Sequence, residues 1–346
     1  MESFEEFVVR VRSEVDAWLS DWLEGRVVQA AARGAEVEAV ADAVRQLVLR
    51  GGKRLRAVLL AAAFEACGGE RDAHATAVIA KAGAALELLQ GYLLIHDDLM
   101  DGDEVRRGGP SVPAMMRERF GKDGDAASIA AGDLACAWAQ SALLELAVDP
   151  TRLVLAAQEL ALVQEEVVSG QVLDVGGEAR NADEVESVHA LKTASYTVRG
   201  PLAMGARLAG AQPSQLIALT AFAKPLGVAF QLRDDVMGTF GNPRAMGKPS
   251  GGDLRRGKRT ALVVEAMPDP DAWGSVARVL GRRDASDDEV SAAIASLEAC
   301  GARARVEARI TALLRTARKA LEYADLTDGG RELLACAAVA MTDRER

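Results

Sequence analysis

The sequence predicts an all-α protein, and three observations lead to that fold class. Apolar residues recur at intervals of three and four positions along most of the 346-residue chain, which is the period of an amphipathic helix. Residues with a high helix propensity, mainly Ala, Leu, Glu and Arg, fill these stretches, and aromatic residues make up only 4% of the chain. Alternating apolar and polar runs bounded by hairpin turn residues are scarce, so few strands are expected.

Helical periodicity divides the chain into a series of segments with short breaks between them. The predicted helices cover residues 36–50, 55–67, 73–100, 126–147, 151–170, 183–198, 214–237, 287–299 and 303–323. Glycine and proline clusters mark the strongest breaks, at residues 51–52, 68–69, 108–113, 175–177, 241–243 and 247–252. None of these breaks resembles a long flexible linker. We therefore expect residues 1–346 to form a single domain of about a dozen helices, in which residues 1–35 are an N-terminal helical extension.

Composition narrows the classes of function. Hydrophobic residues make up 49% of the chain and charged residues 27%, which is ordinary for a soluble globular protein with a large core. The formal net charge of −10 disfavours nucleic acid and anionic membrane surfaces as main partners. The four cysteines lie far apart without metal-binding spacing, which predicts a reduced, cytoplasmic protein. No uncharged apolar run approaches the ~18 residues of a membrane span, so stable membrane insertion is not expected.

The first unusual feature is an acidic cluster at the end of an apolar helix. Residues 94–110 read LIHDDLMDGDEVRRGGP. Asp97 and Asp101 are four residues apart and share a helix face, with Asp98 turned by about 100°. Gly102 predicts the end of the helix, so the three carboxylates lie at its partially negative C-terminus. Each charge there costs roughly 0.3–1 kcal/mol.

A second apolar helix repeats this arrangement, with Asp234 and Asp235 near its end and glycine and proline just beyond. One acidic helix end is most often a solvated surface feature. Two such ends, each behind an apolar helix, favour a compensating cation, and a hard divalent ion such as Mg²⁺ suits carboxylate oxygens best. The spacing does not fit an EF-hand loop.

Basic residues accompany the acidic helix ends in several places along the chain. They are Lys53, Arg56, Arg106, Arg107, Lys192, Lys248 and Lys258. Each alone is more often part of a solvated face than a ligand. Together with the carboxylates they predict a cavity for more than one polyphosphate, in which Lys and Arg bind one diphosphate directly and metal ions bridge another.

The motifs occur in order along the chain as GGKRLR (51–56), Gln90, DDLMD (97–101), RRG (106–108), GQVLD (170–174), KT (192–193), QLRDD (231–235) and DLRRGKRT (253–260). This set resembles the trans-prenyltransferase family, the all-trans polyprenyl diphosphate synthases. The similarity is greatest to its short-chain members, the geranylgeranyl and farnesyl diphosphate synthases. The resemblance implies an isoprenoid synthase fold, with helices around a central cavity, and a homodimer.

The resemblance also implies the reaction. A prenyltransferase of this family condenses isopentenyl diphosphate head to tail with an allylic diphosphate, which can be dimethylallyl, geranyl or farnesyl diphosphate. The reaction depends on Mg²⁺, with three ions per active site, for which Mn²⁺ can substitute. Loss of diphosphate leaves a carbocation-like centre, and cations at the leaving group stabilise that transition state more than the ground state. Apolar helix walls would hold the tail and exclude water.

The acidic residues take metal-binding roles by this resemblance. Asp97 and Asp101 would bind two ions and Asp234 the third, with Asp98 and Asp235 in support. The residues implied to be catalytic are Lys192, Thr193, Gln231, Asp97, Asp101 and Asp234.

The basic and amide residues take substrate-binding roles in the same way. The allylic diphosphate would be bound by Arg106, Lys192, Lys248 and Lys258, and isopentenyl diphosphate by Lys53, Arg56, Gln90 and Arg107. Thr193 and Gln231 would face the reacting carbons. Gln171 and Asp174 would border the metal site.

Four residues in or near the motifs are unusual or have no assigned role. Gly238 stands where the second acidic motif usually ends in a carboxylate, and Pro113 where many relatives have His. Neither departure removes an anion-binding residue, so an active enzyme is expected. His96 is expected to form a structural hydrogen bond rather than to act as a base, and His189 has no partner in the sequence.

The growing prenyl tail is expected to lie in a tunnel beside the helix that ends at Asp97 and to point away from the metal ions. Residues one to two turns before Asp97 would then form the floor of this tunnel and set the product length. Tyr92 and Leu93 come first and Leu89 lies deeper. A single aromatic residue here, with no insertion in DDLMD, resembles the geranylgeranyl pattern, and farnesyl diphosphate is the alternative product.

Two rival protein classes remain open. A class I terpene cyclase shares the acidic motif, Mg²⁺ and an all-α fold, but it needs only one diphosphate site and usually has many aromatic residues. A non-catalytic subunit of a heteromeric synthase would usually lose one acidic cluster, and only Gly238 points that way. Release of pyrophosphate by the protein alone would distinguish an enzyme from such a subunit.

Overall fold

The computed structural model describes residues 2–176, 179–241 and 250–343, and within these ranges the protein is helical almost throughout. The first helices are α1 (Phe4–Ala31), α2 (Ala35–Leu49), α3 (Leu55–Ala66), α4 (Ala73–Asp101), α5 (Val112–Phe120), α6 (Gly124–Leu144), α7 (Pro150–Gly176) and α8 (Ala182–His189). A π-helical segment, Ala190–Arg199, then leads into α9 (Gly200–Ala209). The remaining helices are α10 (Pro213–Phe240), α11 (Gly252–Arg256), α12 (Ala261–Ala266), α13 (Pro270–Ala277), α14 (Asp287–Ala299), α15 (Ala302–Glu322) and α16 (Asp328–Thr342).

The all-α prediction is confirmed. The described residues contain one antiparallel pair of two-residue strands, β1 (Val105–Arg106) and β2 (Gly109–Pro110), and no other strand. The structure has more helices than the expected dozen because several are short, such as α11 with five residues and α12 with six.

The chain divides into two compact units. The first consists of Met1–Gln158 and Met204–Ala211, and the second of Glu159–Ala203 and Gln212–Arg346. Each unit contains one acidic helix end, that of α4 in the first and that of α10 in the second. The assignment of the whole chain to a single domain with an N-terminal extension stays a prediction.

In the first unit, α4 is a central helix that packs against α1, α3 and α6. α1 begins at a capping box in which the side chains of Ser3 and Glu6 each accept a backbone N–H of the other residue. Every fourth residue of α1 then faces the core, and Phe7, Val11, Val15, Leu19 and Leu23 are all buried. The N-terminal helix is therefore part of the core of this unit.

In the second unit, α10 packs against α15 and the π-helical segment. Val228, Leu232 and Val236 lie on its buried face and belong to a core that extends to α12 and α15. The single helix predicted at residues 183–198 is instead α8 followed by the π-helical segment. π-Helical turns are rare and often occur at functional sites, and this one carries Lys192 and Thr193.

Two described helices, α4 and α10, have the length and apolar composition to cross a membrane. However, 72% of the most apolar window of α4 and 50% of that of α10 is buried inside the protein. Such burial is typical of core helices.

Candidate active site

The first acidic cluster lies in the last turn of α4. Gly102 adopts the left-handed conformation with φ 71°, and its N–H donates to the carbonyl of Asp98. The N–H of Asp103 donates to the same carbonyl at 2.9 Å, which closes the helix end. Asp97 and Asp101 remain partly accessible, whereas Asp98 is fully buried.

The short β-hairpin brings Arg106 back onto the end of α4. Its Nε donates to Oδ1 of Asp98 at 2.7 Å, and its Nη2 donates to the same oxygen and, at 3.3 Å, to Asp103. The nearest oxygen of Asp97 is 3.9 Å away. Burial raises the pKa of Asp98 although Arg106 opposes this. Arg106, expected at the allylic diphosphate, thus pairs with a buried carboxylate of the first cluster.

The loop GGKRLR connects α2 to α3, and its basic side chains differ in how far they are buried. The side chain of Lys53 is exposed, whereas Arg56 in the first turn of α3 is only 8% exposed. Arg54 between them has an unusual left-handed backbone, with φ 48°. The loop therefore carries an accessible cation, Lys53, next to two buried arginines.

Arg54 is the anchor of this loop. Its guanidinium donates to Oε2 of Glu87 at 2.9 Å, to Oδ1 of Asp16 at 2.7 Å and to the carbonyl of Val48 at 2.9 Å. The side chains of Arg54 and Glu87 are both 1% exposed. This network is not apparent from the sequence, because residues 16, 54 and 87 come together only in the folded unit.

Arg107 adds a further cation beside this loop, since a Cβ at Gly52 would lie 3.5 Å from its Nη2. It also has a left-handed backbone, with φ 52°, and its Nη1 donates to the carbonyl of Leu47 at 3.3 Å. Burial lowers the pKa of Arg107, and the nearby charges of Arg54 and Arg56 lower it further, while Glu87 opposes them. Such a concentration of positive charge suits an anion with several oxygens. Gln90 is partly buried one turn beyond Glu87 on α4.

The second acidic cluster lies near the end of α10 and is arranged differently. Asp235 is 5% exposed, and its Oδ1 accepts a hydrogen bond from Nε2 of Gln231 at 2.8 Å. Oε1 of Gln231 accepts one in turn from the hydroxyl of Thr193, also at 2.8 Å. Burial, together with the charges of Asp253 and Asp234, raises the pKa of Asp235 well above its usual value. Asp234 is more accessible.

His189 lies beside this cluster, although no motif in the sequence indicates such a contact. Its Nε2 is 3.4 Å from Oδ2 of Asp235. Burial lowers the pKa of His189 to about 4, so the ring is neutral at pH 7. His189 is the last residue of α8, directly before the π-helical segment and three positions before Lys192.

The GQVLD motif positions Lys192. The ammonium of Lys192 donates to Oδ2 of Asp174 at 2.5 Å. Burial raises the pKa of Asp174, but the charge and hydrogen bond of Lys192 outweigh this and the net pKa is lowered. Gly170 allows the close approach, since a Cβ there would lie 2.3 Å from the backbone N of Lys192. Gln171 is partly buried next to Gly170.

The position of Gly238 is filled from another element. A Cβ at Gly238 would lie 3.3 Å from Oδ2 of Asp253, whose Oδ1 accepts a hydrogen bond from Arg256 at 2.8 Å. Lys258 follows α11, and its charge slightly lowers the pKa of Asp235. Lys248 lies outside the described residues.

The carboxylates suit a hard cation. One oxygen of Asp98 and one of Asp235 are buried without a hydrogen-bond partner within the described parts of the chain. No three His, Cys, Asp or Glu side chains converge on one point among these residues. Mg²⁺ commonly takes only one or two protein carboxylates and completes its shell with phosphate and water oxygens, so the donor set fits Mg²⁺.

The residues expected to control product length lie on α4 before the cluster. Leu89 is buried with 1% exposure, whereas Tyr92 and Leu93 are partly accessible. The ring of Tyr92 meets that of His96 edge to face, with the ring centres 4.9 Å apart. Tyr92 therefore has a defined neighbour on its own helix.

The helical architecture is the all-α isoprenoid synthase fold. The protein-family model described as polyprenyl synthetase matches residues 37–297. The chain therefore belongs to the polyprenyl synthetase family, and it is a prenyltransferase. The resemblance to trans-prenyltransferases and the expected enzyme class are confirmed.

Similar proteins include several short-chain synthases. Geranylgeranyl diphosphate synthase of Methanosarcina mazei is 32% identical over 268 residues, which cover 76% of this chain and 77% of the relative. (2E,6E)-Farnesyl diphosphate synthase of Mycobacterium bovis is 36% identical over 261 residues, covering 72% of this chain and 67% of the relative. The crystal structure of a Corynebacterium glutamicum geranylgeranyl pyrophosphate synthase, complexed with isoprenyl diphosphate and magnesium, has a TM-score of 0.90 and 32% identity, covering 99% and 100% of the two chains.

Proposed function

We propose that this protein is a short-chain all-trans prenyl diphosphate synthase with geranylgeranyl diphosphate as its main product. It would condense isopentenyl diphosphate with dimethylallyl, geranyl or farnesyl diphosphate in the cytoplasm. The observation that carries the proposal is the presence, within the first unit, of two different groups that suit a diphosphate. One is the acidic end of α4, which would bind a diphosphate through metal ions, and the other is the cationic wall of Lys53, Arg56 and Arg107, which would bind one directly.

The acidic helix ends would bind Mg²⁺. Asp97 and Asp101 are the accessible carboxylates of the first end and would hold two ions, while Asp234 would hold a third, with Mn²⁺ as a substitute. When bound, the ions neutralise the charge that develops on the departing diphosphate of the allylic substrate. Asp98 and Asp235 are buried and hydrogen-bonded, so we assign them to orienting the helix ends.

The cationic wall would bind isopentenyl diphosphate, which keeps its diphosphate throughout the reaction. Lys53 is exposed and can reach the substrate, and Arg56 and Arg107 are fixed behind it by packing. The buried pair of Arg54 and Glu87 holds the loop in place. Because the side chains of Arg56 and Arg107 are already ordered, they lose little entropy on binding.

The π-helical segment would act on the allylic substrate. Asp174 holds the ammonium of Lys192 in position, and we assign Lys192 to the leaving diphosphate. The hydrogen bond between Thr193 and Gln231 fixes two polar groups beside the second acidic cluster, where they can orient the reacting carbons. Lys258, and Lys248 from outside the described residues, would add positive charge to the same diphosphate.

A second copy of this chain is the proposed partner. The solvent-facing side of α6 carries Ile129 at 49% exposure and Leu144 at 62%, with Ala130 and Ala137 exposed between them beside the polar Asp133 and Gln140. Two such faces could pack against each other in a homodimer, since large apolar side chains exposed on a helix favour a partner surface. Light scattering coupled to size-exclusion chromatography tests this, and a monomer at micromolar concentration would refute it.

The experiment that tests the function is product analysis with the purified protein. Isopentenyl diphosphate is supplied with each allylic diphosphate in turn, with Mg²⁺ or with EDTA, and the products are dephosphorylated and separated by chain length. We expect linear prenyl alcohols up to four isoprene units and no product in EDTA. Cyclic hydrocarbons would indicate a terpene cyclase, and absence of any turnover would indicate a non-catalytic subunit.

A further inference from the structure

His96 occupies a notch in the neighbouring helix α6. A Cβ at Gly132 would lie 2.2 Å from Nε2 and 2.4 Å from Cδ2 of the His96 ring, so the imidazole fills the space that any side chain at position 132 would need. Nε2 of His96 donates to the carbonyl of Ile129 at 3.3 Å. The ring is thus fixed by shape and by a hydrogen bond, as the expected structural role requires.

The fixed imidazole in turn supports Tyr92. The two rings are one helical turn apart on α4 and meet at 70°, with their centres separated by 4.9 Å. Burial raises the pKa of Tyr92, and Cys136 and Asp133 of α6 raise it further, so the phenol also lies close to α6. The ring of Tyr92 therefore lies beside α6 and cannot turn towards His96 without displacing it.

A side chain that ends a hydrocarbon tunnel must resist the growing tail. Each added isoprene unit brings five carbons whose burial favours further growth. A tyrosine on a helix has two common χ1 rotamers, so a ring without support could swing aside. A ring held from one side by a second, fixed ring has lost that freedom.

We propose that His96 is a positioning residue that determines product length, because it holds the Tyr92 ring where the tail ends. This inference rests on the proposed prenyl transfer and on Tyr92 meeting the tail. It assigns His96 no part in the chemical step, although the residue directly precedes Asp97. The determinant of product length would then be a unit of three residues, Tyr92, His96 and Gly132.

The test compares product lengths from isopentenyl diphosphate and farnesyl diphosphate for the wild type and His96→Ala, His96→Phe, Tyr92→Ala and the double variant H96A/Y92A. We expect His96→Ala to shift the main product to at least one isoprene unit longer than that of the wild type. His96→Phe keeps a ring in the notch and should keep the wild-type product. The double variant should match Tyr92→Ala, because His96 acts through Tyr92. His74→Ala, an exposed histidine at the start of the same helix, is the matched control.

A wild-type product ladder in His96→Ala would overturn the inference, and so would a double variant whose products are longer than those of Tyr92→Ala. If His96→Ala does not fold, Gly132→Ala replaces it, since the added methyl displaces the imidazole and should also lengthen the products. If the wild type itself makes no prenyl diphosphate, the proposed function has failed. If the wild type makes prenyl diphosphates and the His96 variants give the same product lengths, only the proposed role of His96 has failed.

Discussion

The two long helices that end in aspartates, α4 and α10, compensate their charge in different ways. At the end of α4 the chain turns sharply, and Arg106 returns to pair with the fully buried Asp98. Near the end of α10 the buried Asp235 receives one hydrogen bond from the neutral Gln231, and its other oxygen has no hydrogen-bond partner within the described residues. The carboxylates at the end of α4 are paired with an arginine of the chain, whereas those near the end of α10 depend more on a bound metal ion for compensation of their charge.

This difference indicates how the two ends respond to metal ions. Burial raises the pKa of both Asp98 and Asp235, but only Asp98 has an arginine in contact. Because Arg106 already orders the end of α4, this end can bind metal ions with little rearrangement. The second end should gain more stability from an ion, because its buried charge is less well paired.

The largest expected effect comes from removing one of the partly accessible carboxylates at either end. Asp97→Ala and Asp234→Ala should each lower kcat by at least about 100-fold, the scale of losing a preorganised electrostatic stabiliser. Steady-state assays at saturating Mg²⁺ measure this. Asp284→Ala, whose side chain is 84% exposed, is the control and should match the wild type. A nearly normal Asp234→Ala enzyme would show that the second end binds no essential ion.

Removing Arg106 should leave the end of α4, like that of α10, with a buried aspartate that has no arginine in contact. Arg106→Ala leaves the buried Asp98 without its hydrogen-bond donor and should lower the free energy of unfolding by about 2 kcal/mol, which urea denaturation in EDTA measures. Arg117→Ala is a matched control, because its partners Glu104 and Asp125 are about two-thirds exposed, with side chains at 65% and 63%. Such pairs contribute little. Equal urea midpoints for Arg106→Ala and the wild type would contradict the difference drawn between the two ends.

Substitutions of basic residues in the two units should change different kinetic parameters. Lys53→Ala should raise KM for isopentenyl diphosphate about tenfold with little change in kcat, because that diphosphate does not leave. Lys192→Ala should lower kcat about tenfold instead, because it acts on charge that develops in the transition state. The same change in both parameters for both variants would argue against two distinct diphosphate sites.

The smallest expected effect concerns Gly238. Gly238→Asp adds a carboxylate close to that of Asp253, and the repulsion should lower Tm in EDTA by about 1 °C. Added Mg²⁺ should restore Tm, since an ion could bind between the two groups. A higher Tm in EDTA than that of the wild type would show that the second end needs no outside cation.

The sequence predicted the helices and the acidic clusters well, because both depend on local patterns. The helix expected at residues 73–100 is α4, Ala73–Asp101, with its end at Gly102 as the glycine predicted. The all-α class and the family also follow from patterns along the chain. Which aspartate of each cluster is buried and which is accessible does not follow from such patterns. The burial of Asp98 and Asp235 depends on the elements that cover them in the folded protein.

The missed residues share a physical reason. Asp16, Arg54 and Glu87 are separated by more than 30 positions, and each alone looks like an ordinary charged surface residue. His189 ends α8 just before the π-helical segment, and its contact with Asp235 on α10 forms only in the folded unit, which no periodicity of the sequence indicates. The roles of the site residues themselves stay predictions until the variants are measured.

The packing of α1 has a practical consequence for preparing shortened versions of the protein. The family match begins at residue 37, after α1 has ended, so a chain that starts at that residue would lack the helix. It would lose Asp16, which holds Arg54 at 2.7 Å, and expose the core that Phe7 and Leu19 cover. We expect such a fragment to aggregate during purification and, where some remains soluble, to bind isopentenyl diphosphate weakly. Crystallisation and inhibitor screening should therefore use a chain that begins before Ser3, so that the helix cap is retained.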